Sequence, residues 1–344
     1  MARMSRLCGL AAAALTLLAS AALAPSTVAA SGRVRPPFRG EPALTVPPAT
    51  LAAALHCYGP RLAHAVKQPI MLVTGTGASG QEAYAIGKDA FDREGRAVCT
   101  VDFPEHTTAD IQVSVQYLVF GIRRMAKIAG RPIGIIGISQ GGLLPRVALT
   151  YWPSLRHQVT DVLAAAGTQH GTTVGATGPN ACSATHPCIP AGWQQKRGSA
   201  FLTALNRQRD ETPGPTAWTT VRSLNDETVQ PQTLPHPASA LKGATNILIQ
   251  AVCPGRKVGH IGTVLDSITF AAFRDALAHK GPAKISRLPK DVCDHPYAPG
   301  LDEAKTTALL GAANGLTSGR NSGPDAVTVA AEPKLRPWVK RLVG

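Results

Sequence analysis

Acidic residues are scarce in this chain: 21 Asp and Glu stand against 35 Lys and Arg over 344 residues, a formal net charge of +14. Such an imbalance invites nucleic acid as a partner. Yet the sequence lacks the basic helix, or the basic patch interleaved with aromatics, that tracks a phosphate backbone, so no nucleic acid is expected. Scattered positive charge suits solubility or attraction to anionic surfaces instead. Beyond residue 30 there is no apolar run long enough to span a bilayer, which excludes stable membrane insertion from the expectation. Neither G-x-x-x-x-G-K-[ST] nor H-E-x-x-H occurs. A standard phosphate loop and the common zinc-hydrolase signature are therefore missing, and neither a metal nor a cofactor is expected. No internal repeat is visible.

What is present begins with an export signal. Arg3 and Arg6 precede an Ala- and Leu-rich run, Leu7 to Leu23, and Val28 and Ala30 are small residues at −3 and −1 of a cut after Ala30. Residues 1–30 read as a secretory signal peptide, and the mature chain is expected outside the cell. Seven cysteines occur. Cys8 lies in the signal, and Cys57, Cys99, Cys182, Cys188, Cys253 and Cys293 form an even set that argues for disulfides in an oxidising compartment.

Residues 31–46, rich in Pro, Arg and Gly, read as an extended arm before a domain over 47–344. There, β-like runs at 68–75, 96–103, 131–139, 159–167, 216–226 and 246–253 alternate with helix-like segments, the clearest being 107–130. Strands apolar on both faces, separated by amphipathic helices, predict a single α/β domain whose mostly parallel central sheet is covered by helices on both sides. One stretch, 171–199, breaks the rhythm. It is rich in Gly, Pro and Thr, and so long a loop in a compact domain is usually a lid or binding loop. Cys182 and Cys188 would staple it locally. A tail from about 315 to 344 is irregular.

The run "GIIGISQGG" ends a buried strand on Ser139. Gly137 and Gly141 flank it in a G-x-S-x-G pattern, and helical spacing follows. The pattern alone recurs by chance, but the strand-turn-helix setting is what a nucleophile elbow requires: a serine on a strained turn leaves no room for side chains two residues either side. The Gln140 amide, first in the helix, can donate to a developing oxyanion. A serine nucleophile needs an imidazole base and an orienting carboxylate, in the chain order Ser, acid, His for α/β-hydrolases. Of ten histidines, His260 lies just past the final strand. Asp226 ends the strand before it, with Glu227 as its rival. The Gly-rich loop 74–80 offers Thr76 as the second oxyanion donor.

These motifs, together with "PIMLVTGTGASG", "GWQQKRGSAFLTALN", "SLNDETVQPQ" and "EPKLRPW", resemble the family of lipase B from Candida antarctica over roughly residues 47–338. The resemblance implies an α/β-hydrolase fold, a triad of Ser139, Asp226 and His260, and oxyanion donors Thr76 and Gln140. It also implies disulfides Cys57–Cys99 and Cys253–Cys293, leaving Cys182 for Cys188. Three departures stand out. Ala331 replaces the first cysteine of the family's C-terminal disulfide, which leaves open how the tail is held. The family's tryptophan before the nucleophile is Ile138 here, so the substrate pocket is expected to be wider. Gly259 replaces the aspartate before the histidine. The expected activity is hydrolysis of ester or lipid substrates, in solution or at a lipid-water interface. A polyester depolymerase or transacylase would use the same triad, and a catalytically silent binding module would retain only the scaffold.

Overall fold

Strands β2 (Ile70–Val73) and β3 (Val98–Val101) are buried at every position, and β4 (Ile133–Ile138) at all but its last. These apolar runs sit at the centre of a seven-stranded sheet in the computed structural model, which describes residues 40–175, 181–316 and 325–342. The signal peptide, residues 31–39 of the arm and parts of the long loop and the tail lie outside the described residues. The strand order is β1-β3-β2-β4-β5-β6-β7, where β1 is Leu55–Tyr58, β5 Val159–Ala165, β6 Ala217–Arg222 and β7 Thr245–Leu248. Only β1 runs antiparallel, pairing with β3, and every other pairing is parallel.

Alternate side chains feed two cores. Met71, Val73, Ile133 and Ile135 meet helices Ile111–Ala129 and Gln140–Tyr151 on one face. Ile70, Leu72, Ile136 and Leu163 meet helices Gly80–Glu94 and Ser267–Ala278 on the other. The described residues thus form one α/β domain with helices on both faces of the sheet. Helix Gly80–Glu94 starts with a capping box in which the Ser79 side chain accepts from the Glu82 amide, and ends on Gly95 in the left-handed region. Both signals stop fraying where the helix must face the sheet. Two runs differ from the sequence expectation. The stretch 246–253 leaves the sheet at Leu248 and turns helical over Ile249–Val252, and Leu55–Tyr58 adds an edge strand not foreseen.

Three disulfides are present: Cys57–Cys99, Cys182–Cys188 and Cys253–Cys293. Segments 41–46 and 325–342 both lie against the domain. Glu41 accepts from the Ser154 amide at 2.5 Å and pairs with Arg123 at 2.9 Å. The tail, without a terminal disulfide, is held by reciprocal backbone bonds between Val329 and Cys188. Glu332 caps helix Ala200–Asn206 through the Ala200 and Phe201 amides, each at 2.8 Å. Trp338 packs edge-on against Tyr151 and Trp152.

Candidate active site

Ser139 is the single residue between β4 and helix Gln140–Tyr151. Its backbone adopts φ 57° and ψ −124°, a conformation that costs a residue with a side chain about 1–3 kcal/mol and tends to cluster at functional sites. The flanking glycines permit it. A Cβ on Gly137 would stand 2.1 Å from the Gly141 carbonyl oxygen, and one on Gly141 would stand 2.2 Å from that of Val73.

His260 follows Cys253, whose disulfide to Cys293 tethers the loop, and Asp226 lies in the turn after β6. The His260 Nδ1 lies 2.9 Å from Asp226 Oδ2 and 3.1 Å from Oδ1. A carboxylate can only accept, so Nδ1 carries the proton and Nε2 is left as the basic nitrogen. Both side chains are buried, and the Asp226 Oδ1 also accepts from the amides of Thr228 at 2.9 Å and Val229 at 2.8 Å, which hold the carboxylate in place. Glu227, the rival acid, reaches a different atom: its Oε2 accepts from the His260 backbone N–H at 3.0 Å. Gly259 leaves it room, since a Cβ there would approach that same oxygen to 2.9 Å.

The loop 74–80 passes beside the serine, and a Cβ on Gly75 would stand 3.1 Å from that of Ser139. Its course is held by Gly77 N–H donating to the His106 carbonyl and Thr107 Oγ1 to the Ala78 carbonyl, each at 2.8 Å. Glu105, His106 and Thr107 take left-handed angles in succession, a run no glycine or asparagine announces in the sequence. Burial and the nearby Asp325 push the Glu105 carboxyl above the usual carboxylate range.

Thr76 and Gln140 meet. The Thr76 hydroxyl donates to Gln140 Oε1 at 2.7 Å. A further residue joins them that the sequence did not single out: Gln195 donates from Nε2 to Thr76 Oγ1 at 2.9 Å and to Gln140 Oε1 at 3.1 Å, while its Oε1 accepts from Thr168 at 2.9 Å. Gln195 caps the short helix Pro190–Gln194, inside the long loop. Ser139, His260, Thr76 and Ile138 line one cavity. No hydrogen bond joins the Ser139 hydroxyl to His260 among the described residues. Among those residues no group of His, Cys, Asp and Glu could hold a metal ion, and no helix is long and apolar enough to cross a membrane.

A parallel sheet with a strained serine between strand and helix, and a buried His-Asp pair on the later loops, is the architecture of an α/β-hydrolase, and by its relatives an ester hydrolase. The chain is 31% identical over 330 residues to lipase B of Pseudozyma antarctica, spanning 92% of this chain and 94% of that protein. The crystal structure of Aspergillus fumigatus lipase B superposes with a TM-score of 0.78 at 26% identity, over 90% of this chain and 76% of that one. The mature lipase BlEst2 of Bacillus licheniformis, at 18% identity and a TM-score of 0.51, covers 65% of this chain and 97% of its own, and shares the fold. No protein-family model matches the sequence. The chain belongs to the lipase B family.

Proposed function

We propose that this chain is a secreted carboxylic ester hydrolase of lipase type that works through Ser139, His260 and Asp226. Ser139 Oγ attacks the ester carbonyl while His260 Nε2 takes its proton. The resulting negative oxygen accepts from the Gln140 and Thr76 amides and, once it rotates, the Thr76 hydroxyl. Gln195 already donates to Gln140 Oε1, so that acceptor keeps a partner when Thr76 turns away. His260 then protonates the departing alcohol, and the same imidazole activates water to release the acyl group from Ser139. Asp226 holds the imidazole tautomer throughout.

The observation that carries this reading is the convergence of a serine in a strained turn and a carboxylate-oriented imidazole on one apolar cavity. Export is supported by the signal-like N-terminus and three disulfides. The test is Ser139→Ala on p-nitrophenyl esters. Turnover should fall by about 10⁴-fold or more with an unchanged circular dichroism spectrum. Retention of a tenth of the wild-type rate in folded mutant would overturn the assignment.

A further inference from the structure

The end of the sheet away from Ser139 carries a second cleft, open and about 420 Å³ in volume. It lies where helix Ile111–Ala129 ends, between that helix, the link into β4 and the turn Pro153–His157. Its rim is cationic: Arg123 and Lys127 come from the helix, Arg131 from the link and His157 from the turn. Ala126 and Pro132 add apolar surface between them. Among the described residues no Asp or Glu lines the cleft. The sequence holds none anywhere between Asp110 and Asp161, a stretch that contains six Arg and Lys residues.

Only one of these cations has an acid beside it. Arg123 pairs with Glu41 through Nη2 at 2.9 Å, and the same Glu41 also accepts from Ser154. The Lys127 ammonium and the His157 ring have no partner among the described residues, and Arg131 donates only Nη1, to the Val66 carbonyl at 2.7 Å. Lys127, Arg131 and His157 are exposed. Like charges gathered around one cleft repel one another, and an anion between them relieves that repulsion. Guanidinium and ammonium groups are the donors that phosphate oxygens accept best. Arg123 and Lys127 stand one helical turn apart, about 6 Å along the axis, and Arg131 lies beyond the helix end, so the charge is spread along the cleft. No Phe, Tyr or Trp lines it to stack a base. The guest that fits is a bare chain of linked phosphates.

We propose that this cleft binds an oligophosphate, two or more linked phosphate groups held by Arg123, Lys127 and Arg131, at a site separate from the catalytic one. Pro132 and Ser139 flank opposite ends of β4, roughly 20 Å apart at 3.3 Å per residue. A guest in the cleft therefore leaves the ester site free. A lipid surface docked at this end would face away from Ser139, which favours a soluble or polymeric phosphate chain over a membrane.

The test is isothermal titration calorimetry of the full chain with sodium tripolyphosphate, in metal-free buffer at an ionic strength fixed with sodium chloride. One site per chain is expected, at least about tenfold tighter than for orthophosphate, because each further charged hydrogen bond contributes about tenfold or more. Lys127→Ala and Arg131→Ala should each raise Kd about tenfold. Arg124→Ala removes the same charge from the same helix at an exposed position outside the lining, and should change Kd by less than about threefold. Circular dichroism checks that the variants are folded, and hydrolysis of p-nitrophenyl butyrate should be the same with and without saturating tripolyphosphate. No binding, binding no tighter than that of orthophosphate, an unchanged Kd in both cleft variants, or an equal loss in Arg124→Ala overturns the proposal. Inhibition competitive with the ester overturns it too, since the anion would then sit at Ser139. Binding to phosphatidylcholine vesicles that carry phosphatidic acid, with no binding of tripolyphosphate, would assign the cleft to a lipid headgroup and overturn it likewise.

Discussion

Replacing Gln195 by leucine tests how the loop 74–80, the proposed source of an oxyanion donor, is held. The residue is buried, and its amide has four partners: it donates to Thr76 Oγ1, Gln140 Oε1 and the Ala191 carbonyl, and accepts from the buried Thr168 hydroxyl. Leucine keeps most of the volume but removes donor and acceptor together, leaving the Thr168 hydroxyl without this acceptor. The expected loss of stability is about 1–3 kcal/mol. Complete loss of an oxyanion donor costs about 100–1,000-fold in kcat. In the proposed mechanism Gln195 acts through Thr76 rather than on the substrate, so its removal should cost less, about 10–100-fold, equivalent to roughly 1.4–2.7 kcal/mol. The assay is steady-state hydrolysis of p-nitrophenyl butyrate well below the melting temperature, with kcat and KM resolved. KM should move little, because the interaction is used in the transition state. Gln195→Glu keeps an acceptor for Thr168 but loses the donor. It should therefore show the fall in kcat with a smaller loss of stability, which separates positioning from mere support of the fold. A kcat for Gln195→Leu within twofold of wild type would refute the reasoning.

Other outcomes follow from the same contacts. Burial pushes the Asp161 carboxyl up to about 6, whereas the unfolded chain releases that proton near pH 4. Between those values the folded state binds the extra proton, so this group makes stability fall as pH rises. Asp161→Asn should therefore gain about 2 kcal/mol at pH 8 and little at pH 4, read as a rise in Tm at pH 8 only; an equal shift at both would contradict it. Glu332→Ala removes the two amide bonds that cap helix Ala200–Asn206 and should lower stability by about 1–2 kcal/mol in urea titration, while an unmoved midpoint would show that the tail is held elsewhere. Ile138→Trp narrows the passage beside Ser139 and should sharpen the discrimination between enantiomers of small secondary alcohol esters, measured by chiral chromatography of the products. Unchanged enantioselectivity would count against Ile138 as the width-setting residue.

The central strands were legible because a parallel sheet covered on both faces demands unbroken apolar runs, which IMLV and IGIIGI supply. Leu55–Tyr58 was not, because a half-exposed edge strand of four residues is defined by its pairing with β3 rather than by its own pattern. Ile249–Val252 continues the apolar run of β7 without a break in composition, and a short run of that kind does not separate strand from helix. At the site, Ser139 was marked by its glycines, and Asp226 and His260 by chain order relative to the strands. Gln195 carried no such mark: Gln194 beside it has the same side chain, yet turns to the Asp110 carboxylate and the Ile111 amide. Tertiary contacts of helix Pro190–Gln194, among them the Ala191 amide on the Thr108 carbonyl and the Thr172 amide on the Gln195 carbonyl, set which glutamine faces Thr76. From the sequence Glu227 reads as a rival to Asp226 for the orienting carboxylate, and its bond to the His260 backbone N–H depends on the loop geometry that Gly259 allows.

The most direct measurement is covalent labelling of the purified, folded chain with a fluorophosphonate, with the modified peptide identified by mass spectrometry. One adduct per chain on Ser139, absent from Ser139→Ala and much slower to form in His260→Ala, is the result required if the serine is the activated nucleophile. No adduct on folded protein, or an adduct on another residue while Ser139 stays unmodified, would contradict it.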